Sequence, residues 1–321
     1  MPQKYNILIS RTDSIGDVIL TLPMIGILKQ KFPNAHISFL GKNYTRDVVS
    51  ACEHIDEFIS YDELTKLTAE EQDLLIAKKK FTHCIHVFPV YDIARLIRKA
   101  RVPVRIGTTN RIFHWITCNK LIRLSRKKSD LHEAQLNCKL LSAFGIDKAF
   151  TIEELNKYVG FTKIEKLDEK NIALLDSNKK NIIIHPKSQG SAHEWAIDNY
   201  VQLIKSIDLN KFKVFISGTE NERKLIQQII AQYPEATDII GKLNLSQFIS
   251  FINAADGLIA CSTGPLHIAS VCDKTAIGLF TDIRPMHPGR WSPIGNKTRI
   301  VLMNNNPNAE INSILAELDK T

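Results

Sequence analysis

The chain has 321 residues, with 42 Lys and Arg against 34 Asp and Glu, 44% hydrophobic and 24% charged residues, and a formal net charge of +8. Apolar content this high at so modest a net charge excludes a disordered chain, and the longest stretch free of Asp, Glu, Lys and Arg, the sixteen residues Gly257–Cys272, is too short and too polar to span a bilayer. At roughly 100–200 residues per domain, the length predicts two domains.

In chain order, the apolar Ile7-Leu8-Ile9 is followed at once by Arg11 and Asp13, which does not read as a signal peptide and predicts a cytoplasmic protein. Asn6–Ser10, His36–Leu40, Glu57–Tyr61, His83–Val87 and Val104–Ile106 read as buried strands. Between them Asp17–Lys31, Thr45–Ala51, Glu63–Lys80 and Tyr91–Ala100 carry helical spacing. A second round begins with Asn181–His185 and continues with Lys213–Ser217, Asp238–Ile240, Gly257–Ala260 and Ala276–Phe280. Its helical segments are Ile197–Ile207, Glu220–Gln232, Leu245–Ala255 and Gly264–Val271, and a last helix, Glu310–Leu318, follows the Asn304–Asn308 cluster. Such βαβ alternation predicts an α/β protein with two Rossmann-like parallel sheets, joined within the polar stretch from Thr151 to Lys180.

The positive charge is localised. Between Ile93 and Ser129 lie eleven cations (Arg95, Arg98, Lys99, Arg101, Arg105, Arg111, Lys120, Arg123, Arg126, Lys127, Lys128) and no acid, so the rest of the chain sums to −3. That bias points to an anionic partner, with a merely solvated basic surface as the plain alternative. The six cysteines stand singly, without CxxC or metal-ligand spacing, and read as reduced structural thiols.

In parallel α/β sheets ligands bind beyond the carboxyl ends of the strands, so the strand-to-helix turns are the places to look for chemistry. The first turn, Arg11–Val18, has Gly16 for a tight bend and Asp17 at a helix start, where the carboxylate either caps the helix or stands at the mouth of the domain. In the second round, Ser262-Thr263-Gly264-Pro265 puts hydroxyls and a Pro at a helix N-terminus that can hold a phosphate or act as an ordinary cap. His267 then faces the ligand or fills the helix–sheet packing. The loop His185–Trp195 offers Lys187 or His193 as a cation beside Ser188 and Gly190, or is a surface loop anchored by Trp195. Glu220 is a ribose-binding acid or a helix-start charge. There is no GxGxxG, no P-loop and no DxD at a strand end.

Taken together and in this order, RTDSIGDVILTLP (Arg11–Pro23), HPKSQGSAHEW (His185–Trp195), SGTENE (Ser217–Glu222), STGPLHIA (Ser262–Ala269) and RPMHPGRWSP (Arg284–Pro293) resemble glycosyltransferase family nine, the ADP-heptose:lipopolysaccharide heptosyltransferase group, over nearly the whole chain. The resemblance implies two facing Rossmann-like domains, the GT-B fold, with residues 1–165 binding acceptor and 166–321 binding the nucleotide sugar. It implies inverting transfer, without a metal or other cofactor, of a heptose or related sugar from an ADP-sugar to an inner-core lipopolysaccharide acceptor. The partners implied are that donor, an anionic glycolipid of the Kdo–lipid A type and the cytoplasmic face of the inner membrane.

Carried over by position, Asp17 matches the catalytic carboxylate, Thr263 and Gly264 the pyrophosphate turn with Ser262 and His267 beside them, and Glu220 the ribose acid. Lys187, Ser188 and His193 complete the donor set. On the acceptor side stand Arg11 and Gly16 of the first turn and Arg105, Arg111, Arg123 and Arg126 of the basic stretch. Two departures stand out: His193 replaces the usual Lys or Arg two residues before the loop Trp, with Lys187 as the substitute cation, and Ser262 replaces an Asp common before Thr-Gly. Three readings compete: a glycosyltransferase of the same fold using another nucleotide sugar or a surface-glycan acceptor, a non-catalytic nucleic-acid module using the basic stretch with Phe113 and Trp115, and an epimerase acting on a nucleotide sugar.

Overall fold

A computed structural model describes residues 5–126 and 129–321, so Lys127 and Lys128 of the basic stretch lie outside the described residues. The chain divides into two compact units, Met1–Lys163 and Ile164–Thr321.

Each unit is a six-stranded, all-parallel sheet with helices between the strands. The first contains β1 (Asn6–Ser10), β2 (His36–Gly41), β3 (Glu57–Ser60), β4 (His83–His86), β5 (Val104–Thr108) and β6 (Lys120–Ile122), in the order β3-β2-β1-β4-β5-β6. The second contains β7 (Lys180–His185), β8 (Phe212–Ile216), β9 (Thr237–Asp238), β10 (Gly257–Cys261), β11 (Thr275–Phe280) and β12 (Thr298–Leu302), in the order β12-β11-β10-β7-β8-β9. Both follow the Rossmann strand order, which reverses between β1 and β4 and again between β7 and β10. Ile7 is paired with Ile37 on one side and His83 on the other, and Ile182 with Val214 and Gly257.

The strands form where β-branched runs can be covered on both faces. Ile7, Leu8 and Ile9, like Ile182, Ile183 and Ile184, are fully buried, each worth roughly 1.5–3 kcal/mol of apolar burial. In the first unit Leu8, Leu40, Ile59 and Cys84 pack against Ile76, Ile93 and Ile97; in the second, Ile182, Ile184, Val214 and Ile259 pack against Tyr200, Leu203, Ile204 and Ile314. Helix starts follow capping chemistry: Thr68 with Glu71, and Asn244 with Gln247, close capping boxes at Ala69–Lys79 and Leu245–Ala254.

Several predicted elements are corrected. Asp17–Lys31 is two helices, Ile15–Ile19 and Leu22–Lys31, because Pro23 has no N–H to continue the ladder; Thr21 Oγ1 instead donates to the Asp17 carbonyl at 2.9 Å. Glu63–Lys80 is likewise broken by the Thr68 cap into Tyr61–Leu64 and Ala69–Lys79. The edge strands β6 and β12 and the helices Ile112–Thr117 and Glu133–Cys138 were not expected. In the polar connection, Phe161 bridges to Cys52 in the first unit, whereas Glu165 accepts from Ser246 Oγ in the second.

All six cysteines are free and buried, and burial pushes the Cys52, Cys138 and Cys272 thiols up to about 12. Among the described residues no helix is long and apolar enough to cross a membrane, and no group of three or more His, Cys, Asp and Glu is placed to hold a metal ion.

Candidate active site

The turn after β1 gathers charge around one guanidinium. Arg11 is buried, and its Nε and Nη2 donate to the two oxygens of Asp13 at 2.8 and 3.0 Å. Nη2 also donates to Asp17 Oδ1. Nη1 reaches Asn137 Oδ1 at 3.1 Å, Thr21 Oγ1 at 3.3 Å and Glu133 Oε1 at 3.4 Å. The second oxygen of Asp17 accepts from Ser14 Oγ at 2.5 Å. Asp17 is the third residue of its helix and takes both hydrogen bonds from side chains, so it does not act as the helix cap. Burial pushes Asp13 up to about 6, against the pull of Arg11 and with the repulsion of Asp17 added. Tyr44, whose hydroxyl donates to the Asp13 carbonyl at 2.6 Å, is raised by burial and by the same two carboxylates.

The basic stretch divides on folding. Arg126 joins the cluster from behind: its Nε donates to Glu133 Oε1 at 2.9 Å and its Nη2 to Asn137 Oδ1 at 3.0 Å. Lys99 pairs with Asp73, and Arg95 faces Asp92 at 3.9 Å, so acids from outside the stretch return to it. Arg105 is a correction. It lies at the amino end of β5, opposite the turns, where its guanidinium donates to the Thr117 and Val102 carbonyls at 2.8 and 2.6 Å, a structural clamp rather than an acceptor ligand.

Arg111 and Arg123 follow the carboxyl ends of β5 and β6 and are exposed. Between them the helix Ile112–Thr117 turns Ile112, Trp115 and Ile116 outward at 89, 62 and 62% exposure. Phe113 packs edge-on against Tyr91, itself half exposed, so aromatic surface continues along this edge. On the inner side of the same helix the His114 ring meets that of His86, the last residue of β4, at a tilt; burial, the charge of His114 and that of Arg105 push His86 down to about 3.

In the second unit the turn after β10 presents the helix Gly264–Val271. Thr263 is its cap by position but makes no side-chain cap bond, and its hydroxyl is buried without a partner among the described residues. Ser262 and Gly264 are half-buried and His267 is buried beside them.

After β7, the loop closes on Glu194, which accepts from Ser188 N at 2.7 Å, Ser188 Oγ at 2.8 Å and the Lys187 ammonium. Burial raises Glu194, but these donors outweigh it and hold the carboxyl low. Lys187, expected as the substitute cation, is thus paired with Glu194, whereas His193 is exposed. Trp195 anchors the loop by donating Nε1 to Glu310 Oε2 at 2.6 Å and meeting Tyr200 edge-on.

Glu220 is also occupied: both its oxygens accept from Arg223 Nε, at 2.7 and 2.9 Å, and Arg223 is held in turn by Asp238. The open carboxylate is Glu222. Its Oε2 accepts from Thr219 N and Oγ1 at 2.8 Å each, and its Oε1 is buried without a partner among the described residues. His185, at the end of β7, meets Ser217 Oγ at 2.9 Å and is pushed down to about 4 by burial, against the pull of Glu222.

The sequence reading missed Asp13, Glu133, Asn137 and Glu222 as members of these clusters. Two of them left a signal: Asp13 stands two residues after Arg11, and Thr219–Glu222 has capping-box spacing. Glu133 and Asn137 become neighbours of Arg11 only through contacts spanning more than a hundred residues.

Comparison with known proteins agrees with this architecture. The structure is similar to that of the glycosyl transferase family 9 protein from Veillonella parvula DSM 2008, at TM-score 0.78 and 19% identity, covering 96% of this chain and 89% of that one. It is also similar to E. coli heptosyltransferase WaaC solved with ADP, at TM-score 0.73 and 14% identity, covering 98% and 99%. The lipopolysaccharide core heptosyltransferase OpsX of Haemophilus influenzae is 23% identical over 312 residues, 91% of this chain and 83% of that protein. Residues 76–318 match the pattern of Glycosyltransferase family 9 (heptosyltransferase), which sets aside both the nucleic-acid module and the epimerase: the chain belongs to glycosyltransferase family 9, and it is a glycosyltransferase.

Proposed function

We propose that this enzyme transfers a heptose, or a closely related sugar, from an ADP-sugar to an anionic inner-core lipopolysaccharide acceptor, with inversion at the anomeric carbon and no metal. The observation that carries the donor half is the pair of buried oxygens without partners on the carboxyl edge of the second sheet, Thr263 Oγ1 and Glu222 Oε1. The first can donate to a phosphate at a helix N-terminus; the second can accept from a ribose diol. Glu222 thus takes the ribose role in place of Glu220. Thr263, Gly264 and Ser262 hold the diphosphate, with His193 as a hydrogen-bond donor to it and Ser188 and His267 completing the donor set. The solved relative WaaC, with bound ADP or ADP-2-deoxy-2-fluoro heptose, supports the same nucleotide here.

In the first unit Asp17 is the general base. The acceptor hydroxyl oxygen bonds to the anomeric carbon as the bond from that carbon to the diphosphate oxygen breaks. The bonding pair leaves with the diphosphate, and the hydroxyl proton passes to Asp17. Arg11 and Gly16 shape the turn that aims this carboxylate. Arg111 and Arg123 attract the acceptor's anionic groups, and the apolar face of Ile112, Trp115 and Ile116 between them fits shallow contact with an anionic membrane surface.

The test is turnover by the purified enzyme with ADP-heptose, ADP-hexose and UDP-sugars on a Kdo–lipid A acceptor. The expected product is a heptosylated acceptor of inverted anomeric configuration with release of ADP. Transfer from a UDP-sugar with none from ADP-heptose overturns the donor assignment.

A further inference from the structure

Arg11 poses a chemical difficulty for its neighbour. A carboxylate whose charge is cancelled by a buried guanidinium is a poor proton acceptor, because protonating it strands the cation. Here, however, one guanidinium faces three carboxylates, Asp13, Asp17 and Glu133. The sharing is unequal in geometry. Asp13 takes the planar fork, both its oxygens meeting Nε and Nη2, which is the strong bidentate arrangement for an Arg–carboxylate pair. Glu133 is drawn toward Arg126 at 2.9 Å and lies 3.4 Å from Arg11. Asp17 receives only a single Nη2 contact and turns its other oxygen to the Ser14 hydroxyl. The aspartates are partly open, with side-chain exposures of 19 and 17%, so both are within reach of water and substrate.

We propose that Asp13 is a positioning residue for the base: by occupying the fork of Arg11, it prevents Asp17 from becoming that guanidinium's principal partner and keeps Asp17 able to accept the proton of the acceptor hydroxyl. The two aspartates then act as one coupled pair that holds a single added proton. The groups facing Asp13 are Arg11, Asp17 and Tyr44, with Glu133 and Arg126 behind Arg11. Burial is the main cause of the rise of Asp13 to about 6, and the charge of Asp17 adds to it against the pull of Arg11. The proton balance is unchanged from the transfer itself: one proton leaves the acceptor hydroxyl and one is taken up by the pair.

This inference rests on Asp17 being the base, and the test separates the two. With ADP-heptose and Kdo–lipid A as substrates, kcat/KM is measured from pH 4.5 to 8 for the wild type, Asp13→Asn, Asp13→Glu and Asp17→Asn. Asn at 13 removes the competing charge while keeping the size. The acidic limb of the profile then moves down by about one pH unit and the plateau falls roughly tenfold, while ADP affinity is unchanged; Glu at 13 restores the limb. A loss of rate in both Asp13 variants with the limb at its wild-type position makes Asp13 merely structural and overturns the proposal. Full activity of Asp17→Asn overturns the base assignment instead. Should Asp13→Asn not fold, carboxyl-resolved NMR of the wild type and Asp17→Asn decides. Loss of the Asp17 charge moves the Asp13 titration to lower pH, and an unmoved titration refutes the coupling.

Discussion

The two units share one strand order and one rule for where a ligand enters, yet they prepare their switch-point edges in opposite ways. In the first, the charged groups satisfy one another: Arg11 is saturated by Asp13, Asp17, Glu133, Asn137 and Thr21, and Asp17 is held from both sides, while Ser10 Oγ and His86 Nδ1 at the ends of β1 and β4 are buried without partners among the described residues. In the second, buried oxygens on Thr263 and Glu222 wait without partners, and a helix N-terminus has no side-chain cap. An enzyme that must aim a base needs rigidity before substrate arrives. A site that must bind an anionic cofactor-like leaving group gains from polar atoms satisfied only by that ligand. Identical topology thus says little about chemistry; the side chains on the edge decide it.

The largest expected effect comes from removing the charge of the carboxylate that the first edge is built to hold. Asp17→Asn is expected to lower turnover by about 10²–10⁴-fold, with ADP affinity and thermal stability nearly unchanged. Stopped assays across substrate concentration, together with ADP titration calorimetry, check both halves. A fully active variant would break the comparison at its root, since the rigid edge would then serve folding alone.

Next in size is Arg11→Met. It leaves three carboxylates around a buried apolar chain, and breaking a buried pair on one side costs about 3–5 kcal/mol. Chemical denaturation read at the first unit should show a loss of that order. A change under about 1 kcal/mol would mean that the carboxylates simply turn to water, and that the first edge is no more self-contained than the second.

The Rossmann repetition was legible in the sequence because parallel strands buried on both faces leave long apolar runs such as Ile7–Ile9 and Ile182–Ile184. The missed strands are edge strands. β12 leaves Ile300 and Leu302 at 37 and 46% exposure, so its pattern resembles a loop, and β6 is three residues inside a basic stretch. The sequence singles out Asp17 and Thr263 for the same local reason: each lies in the first strand-to-helix segment after a strand's carboxyl end. It does not single out their partners, since Glu133 reaches Arg11 across 122 positions and no local spacing records it. For Lys187 and Glu220 the sequence shows a charge and not its counter-ion. Glu194, seven residues on, and Arg223, three residues on, neutralise them.

A pH experiment compares the two edges through their buried histidines, His86 at the end of β4 and His185 at the end of β7. Both are depressed by burial, to about 3 and about 4. The unfolded chain takes up protons near 6.5, before the folded state does, so each histidine supports stability above that pH. The contribution is lost as pH falls toward the folded value, at up to about 1.4 kcal/mol per pH unit. The window reaches lower for His86, so both units lose this support alike down to about pH 4 and the first alone goes on losing it toward pH 3. Replacing His86 with Gln should flatten its slope between pH 6.5 and 4 in urea titrations read unit by unit; an unchanged slope would place the acid lability elsewhere.

The smallest effect carries the sharpest sign. If the Thr263 hydroxyl is kept for a ligand, it costs stability in the free protein, because a buried hydroxyl without a partner forfeits its hydrogen bonds to water. Valine has the same shape without that penalty. Thr263→Val should therefore leave the melting temperature unchanged or raise it by a degree or two, while weakening ADP by about 5–10-fold, the net worth of one ordinary hydrogen bond. The two readouts move in opposite directions, which an ordinary capping threonine cannot produce, since losing a working cap lowers stability by about 1 kcal/mol and leaves ligand affinity alone. The same substitution logic fails in the first unit, where every oxygen on Asp13 and Asp17 already has a donor, so no substitution there relieves an unpartnered buried oxygen. Calorimetric titration of ADP beside thermal melts of wild type and Thr263→Val thus asks whether the second edge is built to be completed by its ligand.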